Sequence, residues 1–140
     1  MVTFGLRLLL ALWLFVLPSA GLFFACSLNT AVGRDYLPWV DRTATLTDRG
    51  LQHIKERHWP TSTAPGAGKF ADGITEQDLR ELISEAVAKG RVRRNSHGRP
   101  GEIFEYDFRR AIGINIRGEP ASRLRVVVAP DRTVITAFPF

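Results

Sequence analysis

The sequence predicts an α+β fold: two N-terminal helices packed on a four- to five-stranded antiparallel sheet, preceded by a hydrophobic leader helix. Three observations predict it. Residues 8–25, LLLALWLFVLPSAGLFFA, carry no charge. Two segments between 48 and 89 place apolar residues at helical spacing behind capping signatures. After Gly90 the apolar residues alternate instead, in segments rich in strand formers.

The uncharged run follows Arg7 and lies between a long signal-peptide core and a short membrane span in length. Ser19-Ala20-Gly21 and Ala31-Val32-Gly33 both satisfy the small-x-small rule for leader cleavage. Cys26 follows Ala25, the position of a lipid-bearing cysteine, although Phe23 and Phe24 are bulky for such a site. Residues 1–26 therefore read as a signal or membrane anchor, with a cleaved export signal favoured over a retained anchor. In either case the remainder leaves the cytoplasm of the producing cell. Residues 27–45, with Gly33 and Pro38 and no clear periodicity, read as a linker.

The folded part is expected over 46–140. Thr47 is a plausible N-cap for a helix from Asp48 to about His58, with Leu46 and Leu51 as a hydrophobic staple. Leu51, Ile54 and His58 share one face, and Pro60 stops the helix. His53 precedes His58 by five residues, which turns the two rings about 140° apart. Residues 61–70 read as a polar loop ending in Gly68-Lys69-Phe70. Thr75 and Asp78 resemble a capping box for the second helix, whose stripe is Leu79, Leu82, Ile83, Ala86 and Val87. Gly90 suits the C′ position. Strands are expected from Arg91, over 103–108, 112–116 and 124–128, and finally over 133–138.

The whole chain has 140 residues and a net charge of +5. Residues 46–140 hold 16 of the 19 basic and 12 of the 14 acidic residues, so the folded part keeps +4. A single cysteine excludes an intramolecular disulfide framework and a Cys-rich zinc site. There is no Walker loop, His-Glu-x-x-His, Gly-x-Ser-x-Gly or Cys-x-x-Cys. Acid–base chemistry by histidine remains, with cations and hydroxyls to hold an anion. On spacing alone His58 reads as a partly buried core histidine, and His53 and His97 as solvated. Lys89, Arg91, Arg93, Arg94 and Arg99 form a run without an acid. That run is either a solvated basic edge strand or a phosphate-binding, RNA-binding surface. Alternation points Arg91 and Arg93 one way and Arg94 the other.

Leu51-Gln52-His53-Ile54-Lys55-Glu56-Arg57-His58 resembles the His-Ile-x-x-Arg-His helix of bacterial toxin nuclease domains. Gly68-Lys69-Phe70 resembles their Lys-(Ser)-x-Phe segment, and Thr133 to Pro139 their closing Val-x-Thr-x-Phe-Pro strand. The chain is thus similar, over 46–140, to the C-terminal ribonuclease domains of contact-dependent inhibition and other polymorphic toxins, in the barnase/EndoU/colicin/RelE-like group. Those domains usually end very long secreted proteins, whereas this one follows a short leader.

The resemblance implies a metal-independent endoribonuclease without a cofactor. It implies His58 as the main acid or base with His53 as the alternative, Lys69 on the scissile phosphate, and Thr136 hydrogen-bonded to it. One of Arg57, Arg109 or Arg117 would assist. The implied partners are an RNA substrate, a tRNA among the options, and a cognate immunity protein, with the membrane added through residues 8–25 if the leader is retained. The implied place of action is the cytoplasm of a target cell. The competing expectation is a non-enzymatic, membrane-tethered envelope protein that binds an acidic partner through the basic strand edge. A metal-dependent DNase ranks last because ligands are few.

Overall fold

The computed structural model describes residues 41–96 and 98–140. The leader, Cys26, the linker as far as residue 40, and His97 lie outside the described residues.

Helix α1 spans Asp48–His58, and the Thr47 hydroxyl accepts the Gly50 amide at 3.2 Å, satisfying one free donor of the first turn. It buries Leu51, Ile54 and His58 and ends where Trp59 turns extended ahead of Pro60. Helix α2 spans Glu76–Lys89. Thr75 and Asp78 close a reciprocal capping box, with the Asp78 amide on the Thr75 hydroxyl at 3.1 Å and the Thr75 amide on the Asp78 carboxylate at 2.9 Å. The five stripe residues are all buried. Gly90 is an extended C-cap rather than a left-handed C′ glycine. Close approach explains it: a Cβ there would lie 2.3 Å from the Ala86 carbonyl and 2.9 Å from that of Glu105.

Among the described residues seven strands form two antiparallel sheets. They are β1 (Lys69–Phe70), β2 (Arg91–Arg94), β3 (Glu102–Asp107), β4 (Gly113–Ile114), β5 (Pro120–Ala121), β6 (Arg123–Val128) and β7 (Val134–Pro139). The main sheet has the order β2-β3-β6-β7, and the small one β1-β4-β5. A single four- to five-stranded sheet is therefore corrected to two. Lys69 and Phe70, expected to end a loop, pair with Ile114 and Gly113. The strand expected over 112–116 shrinks to β4 and leaves the main sheet. Two-residue strands have no period to read, so only tertiary pairing reveals them. Glycine makes the pairing possible, because a Cβ at Gly113 would meet the Lys69 carbonyl at 2.0 Å.

Val92, Phe104, Val126 and Ala137 form one cross-strand row of the main sheet, and each is buried in the core. Both helices join the same cluster through Leu51, Ile54 and the α2 stripe, and Phe70 and Ile112 extend it to the small sheet. Each valine, leucine, isoleucine or phenylalanine among them contributes about 1.5–3 kcal/mol by leaving water. The next row, Arg91, Glu105, Arg125 and Phe138, points to the other face by strand alternation.

Residues 41–45 are tied to the domain. Thr45 bridges Thr133 in parallel, and the Arg42 guanidinium donates to the carbonyls of Val87, Ala88 and Gly90 at 3.3, 3.1 and 2.8 Å. A cation thus satisfies the C-terminal carbonyls of α2. Arg132 holds the same segment by donating to the carbonyls of Asp41 and Thr43, and pairs with Glu102 at 2.6 Å.

Candidate functional site

A cleft of about 560 Å³ opens where the last turn of α1 meets the end of β7. His53, Arg57 and His58 come from α1, and Gly66 to Gly68 from the loop before β1. Arg125 comes from β6, Thr136 and Phe138 from β7, and Phe140 follows them. Helix α1 packs mainly against β7, so one helix end is delivered to one strand end.

His58 is 6% exposed and stacks on Phe138, with ring centroids 5.0 Å apart and planes 21° apart. Its Nδ1 lies 3.0 Å from the Gly68 carbonyl oxygen. A carbonyl only accepts, so Nδ1 carries the proton and Nε2 keeps a lone pair. Among the described residues Nε2 has no hydrogen-bond partner, and it is not sealed from solvent. Burial pushes the His58 pKa down to about 4, the Gly68 carbonyl opposes that, and the charges of His53, Lys69 and Arg57 add to it. The side chain is therefore a neutral imidazole at neutral pH, with its tautomer set by Gly68.

His53 is exposed, yet its ring centroid is 6.4 Å from that of His58, edge to face. The expected divergence of the two rings is thus corrected. A helical wheel gives the direction of the Cα–Cβ bond only, and rotation about χ1 swings both rings toward the same cleft.

Thr136 presents a buried hydroxyl with no hydrogen-bond partner, the one such side-chain atom among the described residues. Arg125 crosses the sheet to Glu105, with Nε and Nη2 at 2.8 and 2.7 Å from one carboxylate oxygen. Its guanidinium carbon also lies 4.2 Å from the centre of the Phe140 ring. Arg93 and Arg123 reach the same Glu105 carboxylate at 3.4 and 3.7 Å. One carboxylate therefore orders three cations.

Lys69 points away from this cleft. Its ammonium donates to the Arg57 carbonyl at 2.6 Å, the Ala64 carbonyl at 2.8 Å and the Ser62 hydroxyl at 3.1 Å. All three protons are engaged, and the group joins the end of α1 to the 61–68 loop. Desolvation first, and Arg57 second, lower its pKa.

Of the three arginines implied as assistants, Arg57 alone lines the histidine cleft. Arg109 lines a second hollow of about 810 Å³ with Lys89, Arg91, Arg93 and Arg123. Arg117 is exposed on the tight turn between β4 and β5, where the Asn115 side chain accepts its amide at 2.8 Å. The run Lys89 to Arg99 does not form one surface. Lys89, Arg91 and Arg93 line the second hollow, whereas Arg94 and Arg99 line a third with Asp41, Glu102 and Arg132. Strand alternation makes the division.

Sequence reasoning assigned no role in the site to Arg125, Phe138 or Phe140. The alternation Arg123-Leu124-Arg125-Val126 carries the signal for Arg125, since buried Leu124 and Val126 force both arginines to the opposite face. Comparison with protein-family models, curated proteins and solved structures finds no match to this chain.

Proposed function

We propose that this domain is a metal-independent endoribonuclease that acts as an exported bacterial toxin. The observation that carries the reading is the convergence of His53 and His58 on one cleft with Arg57, Arg125 and the unpartnered Thr136 hydroxyl. Two imidazoles beside an anion site are the apparatus that phosphodiester transfer to an RNA 2′-OH requires.

In this reading His58 Nε2 takes the proton from the 2′-OH. The freed oxygen attacks phosphorus, and the bond from phosphorus to the 5′ oxygen breaks. His53 delivers a proton to that leaving oxygen, and the product is a 2′,3′-cyclic phosphate. Arg57 and Arg125 stabilise the charge that builds on the phosphorane, and the buried Thr136 hydroxyl gains its missing partner from a phosphate oxygen once rotation about χ1 turns it into the cleft. Lys69 acts here through the loop it fastens rather than on the phosphate. DNA lacks the nucleophile and is not cut by this route. A toxin of this kind needs a cognate immunity protein in the producing cell, and its leader carries it out.

The test is cleavage of total RNA, a tRNA pool included, by the purified chain in EDTA, beside His58→Ala and His53→Ala. Loss of cleavage in folded His58→Ala is expected, with a 2′,3′-cyclic end on wild-type products. Failure of the wild type to cut any RNA would sink the proposal. Expression without the leader tests the toxin role: growth should stop unless the immunity protein is present. The competing reading, an envelope protein with a basic binding edge, draws on β2 being an edge strand of the main sheet. It predicts normal growth in the same experiment.

A further inference from the structure

The second hollow lies at the open end of β2 and β3, against β6. Lys89, Arg91, Arg93, Arg109 and Arg123 line it, and among the described residues the acids that face them there are Glu105 and Asp107. Most of these cations are committed. Lys89 pairs with Glu85 at 3.0 Å, and Arg93 and Arg123 with Glu105. Among the described residues Arg91 and Arg109 have no ion pair and no side-chain hydrogen bond.

Arg109 also adopts φ +54, in the left-handed region that favours glycine. The Asp107 carboxylate accepts its amide at 2.8 Å and so stabilises the turn, but that contact needs no arginine side chain. The other left-handed non-glycine residue, Arg132 at φ +66, uses its guanidinium on Asp41, Thr43 and Glu102. Among the described residues the Arg109 guanidinium makes no such hydrogen bond or ion pair, and it acts on Asp107 only as a nearby charge. A strained backbone that carries an uncommitted cation over a cationic hollow points to a ligand.

The hollow neighbours the histidine cleft across the Phe140 ring. The Phe140 ring is 4.3 Å from the guanidinium of Arg123, which lines the hollow, and 4.2 Å from that of Arg125, which lines the cleft. The row Phe138, Arg125, Glu105, Arg91 crosses four neighbouring strands, a span of roughly 14 Å. That span suits a few nucleotides of an extended strand.

We propose that Arg91 and Arg109 form a second phosphate-binding subsite, which holds a backbone phosphate of single-stranded RNA a few nucleotides from the scissile bond. The proposal rests on the ribonuclease reading for its choice of RNA as ligand. The subsite recognises phosphate and not base, so it sets substrate length rather than sequence.

The experiment uses the full chain in detergent and an uncleavable 2′-O-methyl oligonucleotide of about a dozen residues, a length within known single-strand site sizes. Binding is measured against salt for wild type, Arg91→Ala, Arg109→Gly and the exposed helix residue Arg49→Ala as a charge-matched control. Arg91→Ala and Arg109→Gly should each weaken binding roughly fivefold or more and flatten the salt slope by about 0.7. Arg109→Gly should at the same time raise the melting temperature, because glycine relieves the left-handed strain. A purely structural arginine would not separate affinity from stability in that direction. Wild-type binding and slope in both variants would overturn the subsite, whether or not the protein cleaves RNA. Loss of binding to phosphatidylglycerol vesicles with RNA binding untouched would also overturn it, in favour of a lipid surface. An enzyme that cleaves no RNA, but whose binding depends on both arginines, would leave the subsite standing and remove the ribonuclease reading.

Discussion

The His58 imidazole lies flat against Phe138 and hydrogen-bonds through Nδ1 to the Gly68 carbonyl 3.0 Å away. The contact joins the last residue of α1 to β7 and to the loop before β1, and it makes the fold sensitive to acid. The folded pKa of about 4 lies below the ordinary 6.5, so the unfolded chain takes up the proton first as pH falls. The stability held above pH 6.5 should decline between 6.5 and 4, by up to roughly 3 kcal/mol, and then level off. Denaturant unfolding of wild type and His58→Gln at pH 7.5, 5.5 and 4 measures this. Equal losses in the two proteins would remove His58 as the source.

Lys69 fastens the loop that carries Gly68. Lys69→Met removes three hydrogen bonds and should cost about 1–3 kcal/mol of stability, lowering cleavage through a displaced His58. The His58 imidazole NMR shifts should then move, since the loop no longer holds the tautomer. An unchanged melting temperature and unchanged His58 shifts, with cleavage lost, would instead put Lys69 on the phosphate.

Thr136→Val separates function from stability. The hydroxyl has no partner, so an isosteric apolar group should leave stability unchanged or raise it by about 1 kcal/mol. Cleavage should fall at least tenfold if the hydroxyl holds a phosphate oxygen. Full activity in the valine variant would take Thr136 out of the site.

Gly68 has a backbone reason to be glycine. A Cβ there would lie 2.0 Å from the Pro139 carbonyl oxygen and 2.9 Å from that of Ile114, and backbone cannot swing aside as a side chain can. Gly68→Ala should cost several kcal/mol and break the His58 contact together. Gly66→Ala meets open space at φ +67 and should cost only about 1 kcal/mol. Thermal melts of the pair decide it; equal small losses would show that the loop is free to move.

Both helices were legible because their signals are local. Thr47 and the Thr75–Asp78 box mark the starts, and one apolar stripe runs the length of α2. The strands of the main sheet were legible wherever burial alternates, as in Arg123 to Val128. The small sheet was not, since Lys69–Phe70, Gly113–Ile114 and Pro120–Ala121 are too short to show a period. His58 was legible as a buried residue, and the cleft around it was not.

By itself the sequence determined the helices, the alternating strands, the α+β class, and the positive balance of the folded part. These follow from capping, periodicity and composition, all of which act within a few residues of the chain. Tertiary structure alone decided the division into two sheets, the meeting of His53 with His58, and the turning of Lys69 toward the end of α1. Each depends on contacts between residues far apart in the chain, and on side-chain rotations that spacing along a helix or strand does not encode.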